Sequence, residues 1–178
     1  MPCFTASYES PLGLITMICN EHALLGLWFS GQTHFMEGFT GTCRTADTPI
    51  FSETKRWLDG YFSGSVPDFT PPLQVTGSPF RRMVCDIMSA IPYGQTMTYG
   101  AIAVEVSRRM SSSPMSAQAV GGAVGHNPIS LIIPCHRVMG AGGNLTGYAG
   151  GIERKIALLK LEGIDVSRLR LPKQKREP

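Results

Sequence analysis

The sequence predicts an α+β chain in two parts, a sheet-forming N-terminal part followed by a mostly helical one. Three observations lead there. Two apolar runs, residues 14–19 and 23–29, flank Asn20-Glu21-His22 in the manner of a β-hairpin. A proline-bearing stretch, residues 66–77, cannot be helical and reads as the connection between the parts. Beyond it, apolar residues recur at helical spacing behind residues suited to capping.

Each element follows in order. Residues 4–8 form a short first strand ahead of the hairpin. Pro49–Phe62 is a helix, because Ile50, Thr54, Trp57, Leu58 and Tyr61 share one face and Gly64 lies just beyond. Ser78 as N-cap with Pro79 at the first helical position opens the next helix, with Phe80, Met83, Val84, Ile87 and Met88 as its stripe. Ile91-Pro92-Tyr93-Gly94 is a turn. Residues 98–106 predict a short helix with Tyr99, Ile102, Ala103 and Val106 on one side. Residues 107–114 read as a polar loop carrying Arg108 and Arg109. Residues 116–125 predict a second short helix, capped by Ser116, so the pair resembles a helix-turn-helix. Leu131-Ile132-Ile133 reads as a buried strand that Pro134 ends. A glycine-rich loop, residues 140–151, leads to a last helix at Ile152–Leu161, with Gly163 at its C-cap. The basic residues 168–178 are expected to fray. The division expected is residues 1–76, residues 77–165 and a tail of residues 166–178.

With 178 residues, 43% hydrophobic and 16% charged, the chain can build a core and is not a disordered polymer. No apolar run approaches the roughly 20 residues of a membrane span. Met1-Pro2-Cys3-Phe4 does not begin an export signal. Five scattered cysteines without a CxxC argue against a disulfide framework and for a reduced, cytoplasmic setting. The net charge of +3 permits an anionic partner without demanding one.

The candidate chemistry begins at Cys135-His136. A lone cysteine is commonly an inert core residue. A thiol delivered beside an imidazole can instead be deprotonated and act as a nucleophile. The small residues of the second short helix (Ala117, Ala119, Gly121, Gly122, Ala123, Gly125) suit tight packing on a neighbour or close approach to DNA. Only Gln118 there could read base edges, so a minor-groove approach fits the second reading. Asn127 before Pro128 suits an Asx-turn, or an amide that orders a pocket from behind. In residues 142–151, Tyr148 could wall a flat ligand, or the loop could be plain surface. A metal site among Cys3, Cys19, His22, His34 and Cys43 is not expected, because no spacing matches a zinc pattern.

Taken together, residues 92–99 (PYGQTMTY), Ala119-Val120-Gly121-Gly122-Ala123, Asn127-Pro128 and Ile133-Pro134-Cys135-His136-Arg137-Val138 resemble the O6-alkylguanine-DNA alkyltransferase family. Ser10-Pro11-Leu12-Gly13 and Leu27-Trp28-Phe29 are similar to its first strands. The resemblance implies a ribonuclease-H-like α+β domain followed by a helical domain with a helix-turn-helix. It implies minor-groove binding of double-stranded DNA, rotation of an O6-alkylguanine out of the stack, and one-step alkyl transfer to cysteine. The thioether formed is final, so each molecule acts once. No cofactor is implied, and a monomer is the default expectation.

Residue by residue, the resemblance makes Cys135 the acceptor. His136 takes its proton through a water, Glu162 orients that imidazole, and Asn127 is the hinge amide. Tyr99 donates to guanine N3, and Arg137 is a buried structural arginine. Val138 offers its carbonyl to the exocyclic amine, while Tyr148 and Ala149 form the pocket loop, where a backbone N–H reaches O6. Gln118, Ala119 and Gly121 face DNA. One departure is Gln118, where the family often has an arginine; Arg108 and Arg109 are expected to replace part of that charge. The rival functions are a damage sensor that does not repair and a Cys-His hydrolase.

Overall fold

Burial rises along residues 4–29, from a half-buried first strand to a third that is buried on nearly every residue, and these strands form the predicted sheet. The computed structural model of the chain describes residues 2–37, 39, 42–111 and 114–170. Strands β1 (Phe4–Ser10) and β2 (Gly13–Cys19) pair antiparallel from Phe4↔Cys19 to Ser10↔Gly13, and β3 (Leu24–Phe29) pairs with β2. The Asn20 side chain accepts from the His22 and Ala23 N–H groups and so shapes the hairpin loop. A two-residue strand, β4 (Arg44–Thr45), runs parallel to β1 at the far edge, giving the order β3-β2-β1-β4.

That edge corrects the reading of the cysteines. The register Phe4↔Arg44 brings Cys3 beside Cys43, and the two form a disulfide. A 40-residue separation hides the pair from local spacing. Cys19, Cys85 and Cys135 are free and buried.

Helix α1 (Pro49–Phe62) starts where Thr48 accepts from the Phe51 N–H, and it buries Ile50, Phe51, Thr54, Trp57, Leu58 and Tyr61. Full burial of each large apolar side chain contributes about 1.5–3 kcal/mol, which fixes α1 against the sheet. Helix α2 (Pro79–Ser89) is capped by Ser78 as expected. A short strand β5 (Met97–Thr98) leads into α3 (Tyr99–Met110), and α4 (Ala117–Gly125) follows, capped by Ser116.

Helix α3 runs four residues past its predicted end, so Arg108 and Arg109 lie in its last turn rather than in a loop. Both pair with Glu105 one turn back, and basic residues complement a helix C-terminus. Ser111 closes it in the left-handed region (φ 48°).

The run Leu131-Ile132-Ile133 is buried but is a turn, not a strand. Leu131 has φ 70°. The residues that reach the sheet lie just before it: Leu27 N–H donates to Pro128 and Ser130 N–H to Leu27, a single parallel bridge on the edge of β3. Asn127 replaces a ladder by binding the Ile129 N–H and the Ile129 and Ile133 carbonyls with its side chain. Periodicity cannot separate the two outcomes when a segment is buried on all sides.

Cys135–Arg137 form a 3-10 turn, followed by β6 (Val138–Met139), parallel to β5, and by α5 (Ile152–Leu161). Gly163 (φ 78°) follows the Glu162 cap. The start of the predicted tail is docked: Leu145 N–H donates to Arg170, and Arg170 N–H to Gly143. The rest of that tail, residues 171–178, lies outside the described residues. One apolar cluster joins β2, β3, α1, α2, α3, α4 and the segment through Cys135. Among the described residues no helix is long and apolar enough to cross a membrane.

Candidate active site

Cys135 sits where the buried turn ends, and only 4% of it is exposed. The Asn127 amide donates to its sulfur (3.1 Å) and also to the Ile133 carbonyl (2.8 Å). The Asn127 side chain thus caps local backbone and touches the thiol at once. Burial pushes the Cys135 thiol up from its ordinary range, while the Asn127 amide and the charge of Lys155 pull it back only in part. The resting sulfur is thus a thiol, protonated until something takes its proton.

Behind it lies a polar cluster centred on Glu162, which caps α5. Its Oε1 accepts from His136 Nε2 (2.6 Å), the Tyr61 hydroxyl (2.7 Å) and Arg137 Nη2 (3.0 Å). Its Oε2 accepts from Arg137 Nε (2.8 Å) and the Gly94 N–H (3.1 Å). These donors saturate a carboxylate. Gly94 can present its N–H because it sits at φ 73°, a region that favours glycine. Arg137 is buried and also donates to the Ile91 carbonyl (2.6 Å).

Burial alone would raise the Glu162 carboxyl, but the donors from His136, Arg137 and Tyr61 overturn that and hold it at about 2. Burial lowers His136, and the carboxylate offsets this in part, so the imidazole is neutral at rest. A carboxylate can only accept, so Nε2 carries the hydrogen and Nδ1 is the basic nitrogen. Nδ1 is buried with no hydrogen-bond partner among the described residues. No direct hydrogen bond joins His136 to Cys135 among them.

A cleft of about 580 Å³ opens beside this centre. Tyr99, Gln118, Gly121, Thr146 and Gly147 line it, from α3, α4 and the glycine-rich loop. Cys135 is not on its wall, but its sulfur is near enough to Tyr99 and Tyr148 that a thiolate there would raise both hydroxyls further, beyond the larger effect of their burial. The Tyr148 hydroxyl is buried beside the thiol without the alignment of a formed hydrogen bond. Its ring folds over Gly150, where an added Cβ would come within 2.6 Å. Ala149 accepts from the Thr33 N–H, and among the described residues its own N–H donates to none.

Gln118 and Ala119 are exposed on α4, while Val120, Ala123 and Val124 face the core. Arg108 and Arg109 are not brought to this cleft. They lie at the other end of α3 from Tyr99, about 14 Å along the axis. Their hydrogen bonds hold the Glu105 carboxyl at about 2.

Two residues at the centre escaped the sequence reading. Tyr61, read only as a core residue of its helix, reaches Glu162 and lies 3.2 Å from His136 Nε2. Nothing local marks it. Lys155 is fully buried, and its Nζ donates to the Val138 (2.5 Å) and Thr146 (3.3 Å) carbonyls. It thereby occupies the Val138 carbonyl expected to face a guanine amine, leaving that oxygen one lone pair. Burial lowers Lys155 to about 8. A lysine in line with Ile152, Leu158 and Leu159 on the inner face of that helix was a usable signal.

Residues 4–75 match the family model described as 6-O-methylguanine DNA methyltransferase, ribonuclease-like domain, and residues 79–164 its DNA binding domain. A methylated-DNA–protein-cysteine methyltransferase of Mycolicibacterium paratuberculosis is 42% identical over 154 residues, 86% of this chain and 88% of that one. One from Methanosarcina acetivorans is 39% identical over 160 residues, covering 90% and 98%. The crystal structure of Mycobacterium tuberculosis OGT in complex with DNA superposes with a TM-score of 0.77 at 40% identity, covering 96% of each chain.

Proposed function

Because the chain belongs to the 6-O-methylguanine DNA methyltransferase family, we propose that it repairs alkylated DNA directly, moving the alkyl group from guanine O6 to its own Cys135. It is a methylated-DNA–protein-cysteine methyltransferase, and its partner is double-stranded DNA. One observation carries the choice of acceptor: Cys135 is a buried free thiol whose sulfur receives an amide hydrogen bond, and the next residue is a histidine paired with a buried carboxylate.

In this reading the flipped guanine enters the cleft between α3, α4 and the glycine-rich loop. His136 Nδ1 takes the thiol proton, by way of a water, and Glu162 stabilises the imidazolium. Sulfur attacks the alkyl carbon, the S–C bond forms as the C–O6 bond breaks, and the electron pair goes to guanine. The Tyr99 hydroxyl donates to N3 as negative charge develops, and one proton, equal to the one sulfur lost, completes guanine. A raised thiol pKa suits this order of events, since a thiolate of higher pKa is the stronger nucleophile once formed. Lys155 steadies the negative sulfur and holds the Val138 and Thr146 carbonyls. Arg137 fixes Glu162. Tyr148 and Ala149 form the pocket loop. Gln118, Ala119 and Gly121 face the minor groove, with Arg108 and Arg109 nearer the flanking phosphates. The reaction ends in a thioether on the protein, so no cofactor takes part. The place of work is the cytoplasm, with the chromosome.

Incubation with an oligonucleotide carrying O6-methylguanine, followed by intact mass and peptide mapping, tests this. One methyl on Cys135 and loss of further activity are expected. A shifted gel with no added mass would leave a sensor, and repeated turnover without added mass a hydrolase.

A further inference from the structure

The loop after β3 places His34 and Glu37 against His126, the cap of α4, on the side of the molecule where residues 128–130 dock on the sheet edge. One ligand-capable atom from each of the three side chains lies within 4.8 Å of the other two. The two imidazole rings stack with centroids 3.7 Å apart. Glu37 contacts His34 Nδ1 with one oxygen and lies 3.6 Å from His126 Nε2 with the other.

A second observation fixes the chemistry. His126 Nδ1 faces the Gly122 carbonyl at 2.7 Å and must donate its hydrogen there, because a carbonyl cannot donate. With Nδ1 so engaged, Nε2, 3.6 Å from Glu37, is the nitrogen left for an ion. A metal-bound histidine is oriented in this way, one nitrogen on a backbone carbonyl and the other on the ion.

We propose that His34, Glu37 and His126 bind one divalent ion of the zinc class. Two imidazoles and a carboxylate select zinc, cobalt or nickel over magnesium or calcium, which prefer oxygen. The cavity, of about 100 Å³, is walled by Trp28, Arg81 and Pro128 and has room for an ion with a water in its remaining position. Arg81 on this wall opposes any cation, so binding must come from the direct bonds of the three ligands. The set was invisible in sequence, where His34 was grouped with Cys3, Cys19, His22 and Cys43. In the fold, Cys3 and Cys43 pair with each other, and Cys19 is buried against Thr48. The ion would clamp an N-terminal loop to the residue preceding Asn127, whose amide holds the acceptor sulfur. It takes no part in alkyl transfer, and its test needs no DNA.

Metal-free protein is titrated with zinc alone, by calorimetry and by thermal unfolding, and with cobalt by visible absorption. One ion per chain is expected, with a rise in Tm of a few degrees. His34→Ala should abolish uptake, and Glu37→Gln should weaken it roughly tenfold or more. Both changes lie on a surface loop, and each variant's Tm without metal verifies its folding. Cobalt should show ligand-field bands with no thiolate charge-transfer band, unchanged after Cys135 is alkylated. The proposal is overturned by absence of stoichiometric uptake, by uptake indifferent to both substitutions, or by uptake that alkylation of Cys135 removes.

Discussion

The acceptor centre and the exposed face of α4 solve opposite problems with opposite materials. Around Glu162 polar groups are buried, and the carboxylate, at the end of α5, is met by donors from three separate segments: α1, the turn after α2 and the Cys-His-Arg turn. On α4 the outward residues are Ala117, Gln118, Ala119 and Gly122, small and almost without charge. A buried, saturated network is sensitive to the loss of a single atom. A small exposed face works by shape, so it responds to what is added rather than to what is removed. The sharpest break on the buried side is Cys135→Ser. It keeps an acceptor for the Asn127 amide and should leave the fold and DNA binding near wild type. Methyl uptake should fall to nothing by intact mass, and any retained lesion removal would refute Cys135 as acceptor.

Next in size is Glu162→Gln. The guanidinium of Arg137 would be left buried without its counter-charge, and breaking such a pair costs about 3–5 kcal/mol. Denaturant unfolding should show that loss, and uptake of methyl should slow as well. The wild type carries a pH signature of the same group. Glu162 is depressed from 4.5 to about 2, so the unfolded chain binds the extra proton between those values. Stability from this group is therefore full above about pH 4.5 and is lost as pH falls toward 2, on the order of 3 kcal/mol. His136, lowered by burial, acts in the same direction, favouring the unfolded chain as pH drops below its ordinary 6.5. Glu162→Gln should flatten the lower part of that profile; an unchanged profile would mean that another carboxylate governs acid unfolding.

What could be read in advance divides along the same line. The helices were legible where a cap announced them, as at Ser78 and Ser116. Cys135, His136 and Asn127 were legible because they lie within nine residues of one another, so the motif contains its own geometry. Tyr61 was not, since 101 residues separate it from Glu162 and 75 from His136. Strand β4 is two residues long and has no periodicity to read, and with it the Cys3–Cys43 pair was hidden. The segment 131–133 misled for a different reason: its burial was correct, but an asparagine side chain rather than a neighbouring strand satisfies its backbone. Long-range polar satisfaction is what a single sequence least reveals.

Tyr61→Phe sharpens the comparison at smaller amplitude. It removes one donor from Glu162 while the ring stays stacked on Trp57. Loss of a buried hydrogen bond of this kind costs about 1–2 kcal/mol. Tyr61 is a positioning residue, so the methyl-transfer rate at saturating DNA should fall several-fold and its pH profile should shift, while DNA affinity stays constant. A stability loss with rate and pH profile unmoved would reduce Tyr61 to packing.

The smallest effect belongs to the exposed helix, and it runs the other way. Gln118→Arg adds a charge to a face that has none of its own, on a side chain that lines the cleft and is open to solvent. Nothing buried is disturbed, so Tm should not move. At low salt DNA affinity should rise several-fold, and the plot of log affinity against log salt should steepen by about one unit, as expected for one more phosphate contact. The rate at saturating DNA should be unchanged, because the added charge touches neither Cys135 nor the Glu162 cluster. An affinity and salt slope equal to those of the wild type would show that position 118 does not meet the phosphates. The charge for binding would then come from other basic residues, and Arg108 and Arg109 could supply it only in competition with Glu105, which already engages their guanidinium groups.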